Sequence, residues 1–260
     1  MNIGTAYTRA VSPRLAACET SQGLAIDVGR AALQHAAYEQ ALTQAGFTVE
    51  RLAPLAHHPD GVFVEDTALL LGDDCIVTRP GAASRAGEAG STAECLARDF
   101  TVHRLAAGRL DGGDVLAIGR ALYVGRSART DEAGIGALAA TAGGLGYRVV
   151  PVPVSGCLHL KSAATFAGPD AAGRPVLLHN PDWVSPDVFA DVEPVAVAPG
   201  EDFGANVLRA GEVLMAAADS PRTADALRRL GFAVVDLDIS EIRKADAALT
   251  CMSLIAERSG

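Results

Sequence analysis

Apolar and polar residues alternate in five short stretches spread along the chain. They are GFTVERLAP from Gly46, DFTVHRLAA from Asp99, GYRVVPVPV from Gly146, VEPVAVAPG from Val192 and GFAVVDLDI from Gly231. Such alternation is the period of a half-buried strand. The segments before them read as helices. Val28 to Ala45 is amphipathic, Thr130 is placed to cap Asp131 to Leu145, and Ser220 is placed to cap, with Pro221 at the first helical position, a helix that carries Ala224 to Leu230. Asp182 to Val192 is a poor helix former. Gly46, Gly146 and Gly231 fall where the residue ending a helix needs a positive φ. A second apolar strand precedes each helix, at Cys75 to Val77, Ala121 to Val124, Pro175 to Leu178 and Glu212 to Met215, with an N-terminal counterpart near Ile3. The unit is strand–helix–strand, repeated five times. No Ser/Pro/Gly-rich linker divides the repeats, so the pattern predicts an α/β fold in one domain, residues 1–260.

After each unit comes a short run of chemically capable residues: Phe63 to Asp66, Asp111 to Asp114, Leu158 to Lys161, Gly204 to Asn206 and Thr250 to Ser253. If five units surround a pseudo-fivefold axis, these equivalent positions converge on it. Residues far apart in sequence then line one central channel.

Composition narrows the class. Hydrophobic residues make up 49% and charged residues 20%, as in an ordinary globular protein. The net charge of −9 argues against nucleic acid or an anionic membrane as partner and mildly favours a cationic small molecule. No apolar run approaches the length of a membrane span, and Met1 to Ala10 lacks the apolar core of a secretory signal. Five cysteines are scattered without metal-type pairing, which predicts free thiols, a cytoplasmic location and no metal or cofactor. A homodimer is left open.

Within the motifs, Cys251 closes a repeat. Most free cysteines are small buried hydrophobes, but a nucleophilic one needs thiolate character from a nearby cation, which a bound guanidinium could supply. His159 can protonate a departing amine and then deprotonate water near neutral pH. Asp111 and Asp114 flank two glycines; most such sequences are turns, but a carboxylate there could orient the imidazole. Asp60, Glu65 and Asp66 crowd an otherwise apolar segment, where buried carboxylates need a partner, and a planar guanidinium is the best one. Arg85 and Arg129 occupy matching loops of two units and could clamp a carboxylate.

FVED, VTRPGA, LDGGDVL, GRSART, LHLKS and RKADAALTCMS, in this order and spacing, resemble the dimethylarginine dimethylaminohydrolases of the guanidine-modifying superfamily. The resemblance spans essentially the whole chain. It implies a five-bladed, pseudo-symmetric α/β propeller (pentein) of ββαβ-type modules. It further implies Cys251 as nucleophile, His159 as acid/base and Asp111 as its acidic partner. Asp66 corresponds to a guanidinium-binding carboxylate, with Glu65 accompanying it, and Asp60 to an α-amine contact. Arg85 and Arg129 correspond to carboxylate contacts, and Ala245–Asp246 to a stretch whose backbone accepts from the α-amine. The loop Pro13 to Gly23 corresponds to a lid. The expected reaction is hydrolysis of Nω-methylated arginine to citrulline and an alkylamine through a covalent thiouronium; Cys251 and His159 are both zinc-ligand types, so zinc could inhibit by bridging them. The alternatives are hydrolysis of arginine or another N-substituted guanidine, an arginine-analogue binding protein and a thiol redox sensor.

Overall fold

The computed structural model describes residues 3–257. Five three-stranded sheets are built to one plan. In the second module, β3 (Ala68–Leu71) runs antiparallel to β4 (Asp74–Val77), and α2 (Glu88–Leu96) then returns the chain to β5 (Thr101–Arg104), parallel to β4. The third module repeats this with β6 (Val115–Ile118), β7 (Ala121–Arg126), α3 (Glu132–Gly143) and β8 (Arg148–Pro153). The fourth has β9 (Ala164–Pro169), β10 (Pro175–His179) and β11 (Glu193–Ala196), and the fifth has β12 (Leu208–Ala210), β13 (Val213–Ala217), α5 (Pro221–Arg229) and β14 (Ala233–Leu237).

The first module is shared between the ends of the described chain. β1 (Gly4–Thr8), α1 (Val28–Gln44) and β2 (Phe47–Arg51) take their antiparallel strand from β15 (Leu254–Glu257). The ring is closed by packing as well as by this pairing. Five apolar clusters each join one module to the next. Leu71, Ile76, Val115 and Leu138 join the second to the third, Tyr123, Leu160 and Leu177 the third to the fourth, and Leu178, Val207 and Leu227 the fourth to the fifth. Met215, Leu42 and Phe47 join the fifth to the first, and Tyr7, Leu254, Val77 and Leu96 join the first back to the second. A module buries its apolar face only against its neighbours, so a closed ring leaves no module with an unpartnered end.

Each antiparallel strand follows one of the polar motifs, a strand that the alternation alone did not mark. Gly46, Gly146 and Gly231 have φ of 101°, 81° and 93°. The fourth unit forms no α-helix between β10 and β11, only a 3₁₀ turn at Pro186–Val188, as its composition implied. Two expected caps are corrected. Asp131, not Thr130, caps α3 by accepting from Gly134 N, while Thr130 donates to Asp114. Ser220 does not cap α5 with its side chain; the Glu201 carboxylate accepts from the amides of Arg222 and Thr223 and satisfies that terminus from outside. No helix is long and apolar enough to cross a membrane among the described residues.

Candidate active site

The five polar motifs fold as short helical turns at the entrance to the antiparallel strands: Val64–Thr67, Gly112–Asp114, Leu160–Ala163 (α4), Asp202–Ala205 and Thr250–Met252. Hydrogen bonds link them around the axis. Asp66 Oδ1 accepts from Gly113 N (3.0 Å), and Asp114 Oδ1 accepts from Leu160 N (2.9 Å). The Asn206 amide donates to Lys161 O and to Thr250 Oγ1, and Thr250 Oγ1 donates to Glu65 Oε2 (2.8 Å). The turns that carry chemistry thereby hold one another.

A cavity on one side of this ring is lined by Cys251, His159, Asp66, Asp60, Arg85 and Arg129, with Ala245, Asp246 and the lid residue Glu19 closing it. Its open space, about 20 Å³, is close to that of a single water. It adjoins a wider vestibule of about 520 Å³ that shares Glu19, Arg129, Leu158 and Asp246. Asp111 lies behind it, with Oδ2 3.0 Å from His159 Nε2 and Oδ1 accepting from Gly81 N at 2.6 Å. Asp66 Oδ1 stands 3.9 Å from the same imidazole nitrogen. Gly113 permits this crowding, because a Cβ there would lie 2.8 Å from both Asp66 Oδ1 and His159 Nδ1.

The electrostatics separate the two central groups. Burial alone would lower the His159 pKa, but the Asp66 charge and the Asp111 hydrogen bond outweigh it and raise the pKa to about 9. His159 is therefore an imidazolium at neutrality. Burial raises the Cys251 thiol to about 12, with Glu65 and Asp66 adding to the effect. At rest, the nucleophile is a neutral thiol beside a cationic acid. Burial also raises Asp60 to about 6, against the opposing pull of Arg85 and the Glu19 amide. Asp66 is held below the usual carboxylate range: burial works against this, but the charges of His159 and Arg85 prevail.

Arg85 is engaged more deeply than a simple clamp. Its Nη1 donates to Asp66 Oδ2 (2.5 Å), Nη2 to Phe63 O and Glu88 Oε2, and Nε to Glu88 Oε2. One Nη1 hydrogen is left uncommitted. Arg129, by contrast, has no side-chain partner among the described residues. Glu65 lies apart from the cavity. It pairs with Lys161 Nζ at 2.5 Å and lines a second opening at the far end of the axis, with Thr250 and Leu254. The Asp246 carboxylate faces the lid, accepting from Ser21 N (2.6 Å) and Gln22 Nε2 (2.8 Å), while Asp60 accepts from Glu19 N. Lys161, Glu88, Asn206 and Thr250 were not singled out from the sequence. Lys161, Asn206 and Thr250 lie inside the polar motifs, and Glu88 carries the i+3 spacing from Arg85 that pairs charges on one helical face.

Asp66, Asp111 and His159 bring metal-ligand atoms within 4.8 Å of one another. Their environment is unfavourable to a metal ion: Asp66 already pairs with Arg85, and an imidazole protonated at neutrality has no lone pair to coordinate with.

A five-module pseudo-symmetric α/β ring with Cys, His and Asp gathered at its axis defines the guanidine-modifying class. No family model matches the chain. It is 41% identical over 259 residues to N(G),N(G)-dimethylarginine dimethylaminohydrolase of Streptomyces coelicolor, covering 96% of this chain and 95% of that one. It is 34% identical over 231 residues to the enzyme of the same name from Pseudomonas aeruginosa, covering 88% and 89%. A crystal structure of the Pseudomonas aeruginosa enzyme, a cysteine-to-serine mutant complexed with citrulline, superimposes with a TM-score of 0.90 at 31% identity over 98% of this chain and 100% of that one. The chain belongs to the dimethylarginine dimethylaminohydrolase family.

Proposed function

We propose that this chain hydrolyses Nω,Nω-dimethyl-L-arginine, and Nω-monomethyl-L-arginine, to L-citrulline and the corresponding amine, as one cytoplasmic domain of residues 1–260 without a cofactor. The observation that carries the reading is the pairing of a neutral Cys251 thiol with a protonated His159 in one cavity that also gathers the buried carboxylates of Asp60 and Asp66. Such a site has little nucleophilicity until a cation enters. A substrate guanidinium beside Asp66 lowers the thiol pKa, and the thiol proton leaves to solvent. The thiolate adds to the guanidinium carbon. His159 gives its proton to the alkylated nitrogen, and the amine departs, leaving an S-alkylthiouronium on Cys251. Neutral His159 then takes a proton from water as the hydroxide attacks. The tetrahedral adduct collapses to the ureido product as the Cys251 sulfur is expelled, and the proton released from the adduct's hydroxyl returns the thiolate to the resting thiol.

Asp111 keeps the imidazole oriented throughout and favours its protonated form. Arg129, aided by the free hydrogen of Arg85, receives the substrate α-carboxylate. Asp60 and the backbone of Ala245 and Asp246 receive the α-amine. Glu65 acts through Thr250, the residue before the nucleophile. All five cysteines are unpaired, which supports the cytoplasmic assignment.

The test is production of citrulline and dimethylamine from asymmetric dimethylarginine, with arginine as the competing substrate, by wild type and Cys251→Ser. Both products from wild type and none from the variant are expected. A folded wild type that turns over neither substrate would overturn the assignment.

A further inference from the structure

A second cavity lies beside the parallel strands of the second module, away from the catalytic one. It has a volume of about 400 Å³, within the size range of small-molecule sites, and three arginines line it: Arg79, Arg104 and Arg109. That concentration of positive charge stands out on a protein of net charge −9. Arg104 has no side-chain partner among the described residues. Arg79 spends only Nε, on Gly108 O (2.9 Å), and Arg109 spends Nε on Asp131 (3.1 Å), the one carboxylate paired with the cluster. Most guanidinium donors in the cavity are therefore uncommitted.

The opposite wall is helical. Ala89 and Gly90 line it from the first turn of α2, whose N-cap residue, Gly87, has no side chain to cap the helix. The first turn of that helix thus borders the same space as the three guanidiniums, and its one carboxylate, Glu88, is paired with Arg85. Pro80 and Leu105 give the cavity an apolar lining between the two.

We propose that this cavity binds a small molecule bearing a multivalent oxyanion, a phosphoryl or polycarboxylate group, held between the arginine cluster and the start of α2. Fork-shaped guanidinium donors match such oxygens in pairs, and multiple charges are what three arginines select over chloride. The site is separate from the substrate cavity yet joined to its frame. Arg79 O accepts from Leu110 N (2.8 Å), Leu110 precedes Asp111, and Gly81 N holds Asp111 Oδ1.

The experiment is calorimetric titration of the full chain with pyrophosphate and, separately, with citrate, at constant ionic strength set by sodium chloride. Saturable binding of at least one anion is expected, with Kd below about 1 mM; which anion binds more tightly identifies the group recognised. Arg104→Ala and Gly90→Leu should each weaken it at least about tenfold. A Cβ at Gly90 meets nothing within 4 Å, so the position has room for a side chain that projects into the cavity. Arg129→Ala, in the substrate cavity, should leave anion binding unchanged. Absence of saturable binding by both anions would overturn the proposal. So would binding that survives Arg104→Ala and Gly90→Leu but is lost in Arg129→Ala, since the anion would then occupy the substrate site.

Discussion

Asp111 Oδ2 and His159 Nε2 stand 3.0 Å apart in a fully protein-enclosed setting, joining a carboxylate of the third module to an imidazole of the fourth. Together with the Asp66 charge, the contact keeps a proton on His159 through neutrality, and it keeps the ring from turning.

Replacing Asp111 with Asn preserves the shape and removes the charge. We expect kcat to fall by roughly 10³-fold and the basic limb of the pH profile to move to lower pH, because part of what raises the His159 pKa is gone. Steady-state kinetics across pH checks both. An unchanged basic limb would show that Asp66 alone sets the imidazole.

The pH dependence of kcat/KM follows from two raised pKa values. Asp60 must be ionised to receive an ammonium, so activity rises through about pH 6. His159 must be protonated to expel the amine, so activity falls through about pH 9. The stability linked to the His159 proton has the same upper limb: its folded pKa is above the unfolded 6.5, so the contribution is complete below that value and lost as pH passes about 9. Asp60→Asn should abolish the acidic limb while leaving the basic one.

The Cys251 thiol should alkylate slowly with iodoacetamide at pH 8, because burial holds it neutral. A small guanidinium that leaves the Cys251 sulfur uncovered should accelerate labelling by at least about tenfold, since the cation favours thiolate. Mass spectrometry of the labelled peptide gives the rate. Fast labelling of the free protein would mean that the thiolate exists before substrate arrives.

Lys161→Met leaves the Glu65 carboxylate buried without its cation. The expected loss is about 3 kcal/mol of folding stability, read from urea denaturation. The double variant Lys161→Met/Glu65→Gln should recover part of it, because no buried charge is then unpaired. Failure of that recovery would assign the loss to the packing of the Lys161 side chain.

The lid is tied down by the Asp246 carboxylate, which accepts from Ser21 and Gln22. Asp246 has a φ of 54°, a conformation that Asn tolerates and Ala does not. Asp246→Asn should therefore fold normally yet hold the lid less firmly, raising KM by roughly tenfold with little change in melting temperature. A fall in melting temperature without a KM change would make the contact purely structural.

The sequence by itself determined the repeat. Alternation and helix-ending glycines such as Gly46 and Gly231 are local, and their backbone requirements hold wherever the module sits. The positions of Cys251, His159 and Asp111 in equivalent motifs were legible for the same reason. The antiparallel strands were not, because Ala68–Leu71 and Val115–Ile118 are four residues long and uniformly apolar and Leu208–Ala210 has only three residues, so no period distinguishes them from buried turns. Nor were the partners within the site. Arg85 lies on Asp66 and Glu88, Glu65 turns toward Lys161, and Asp246 reaches for the lid; each pairing joins segments whose proximity or orientation is created by the folded ring. Burial and the charges gathered around each group decide the rest. The same residue types in solution would give a histidine half-protonated near pH 6.5 and a thiol near 9, and only the enclosed axis moves them to about 9 and about 12.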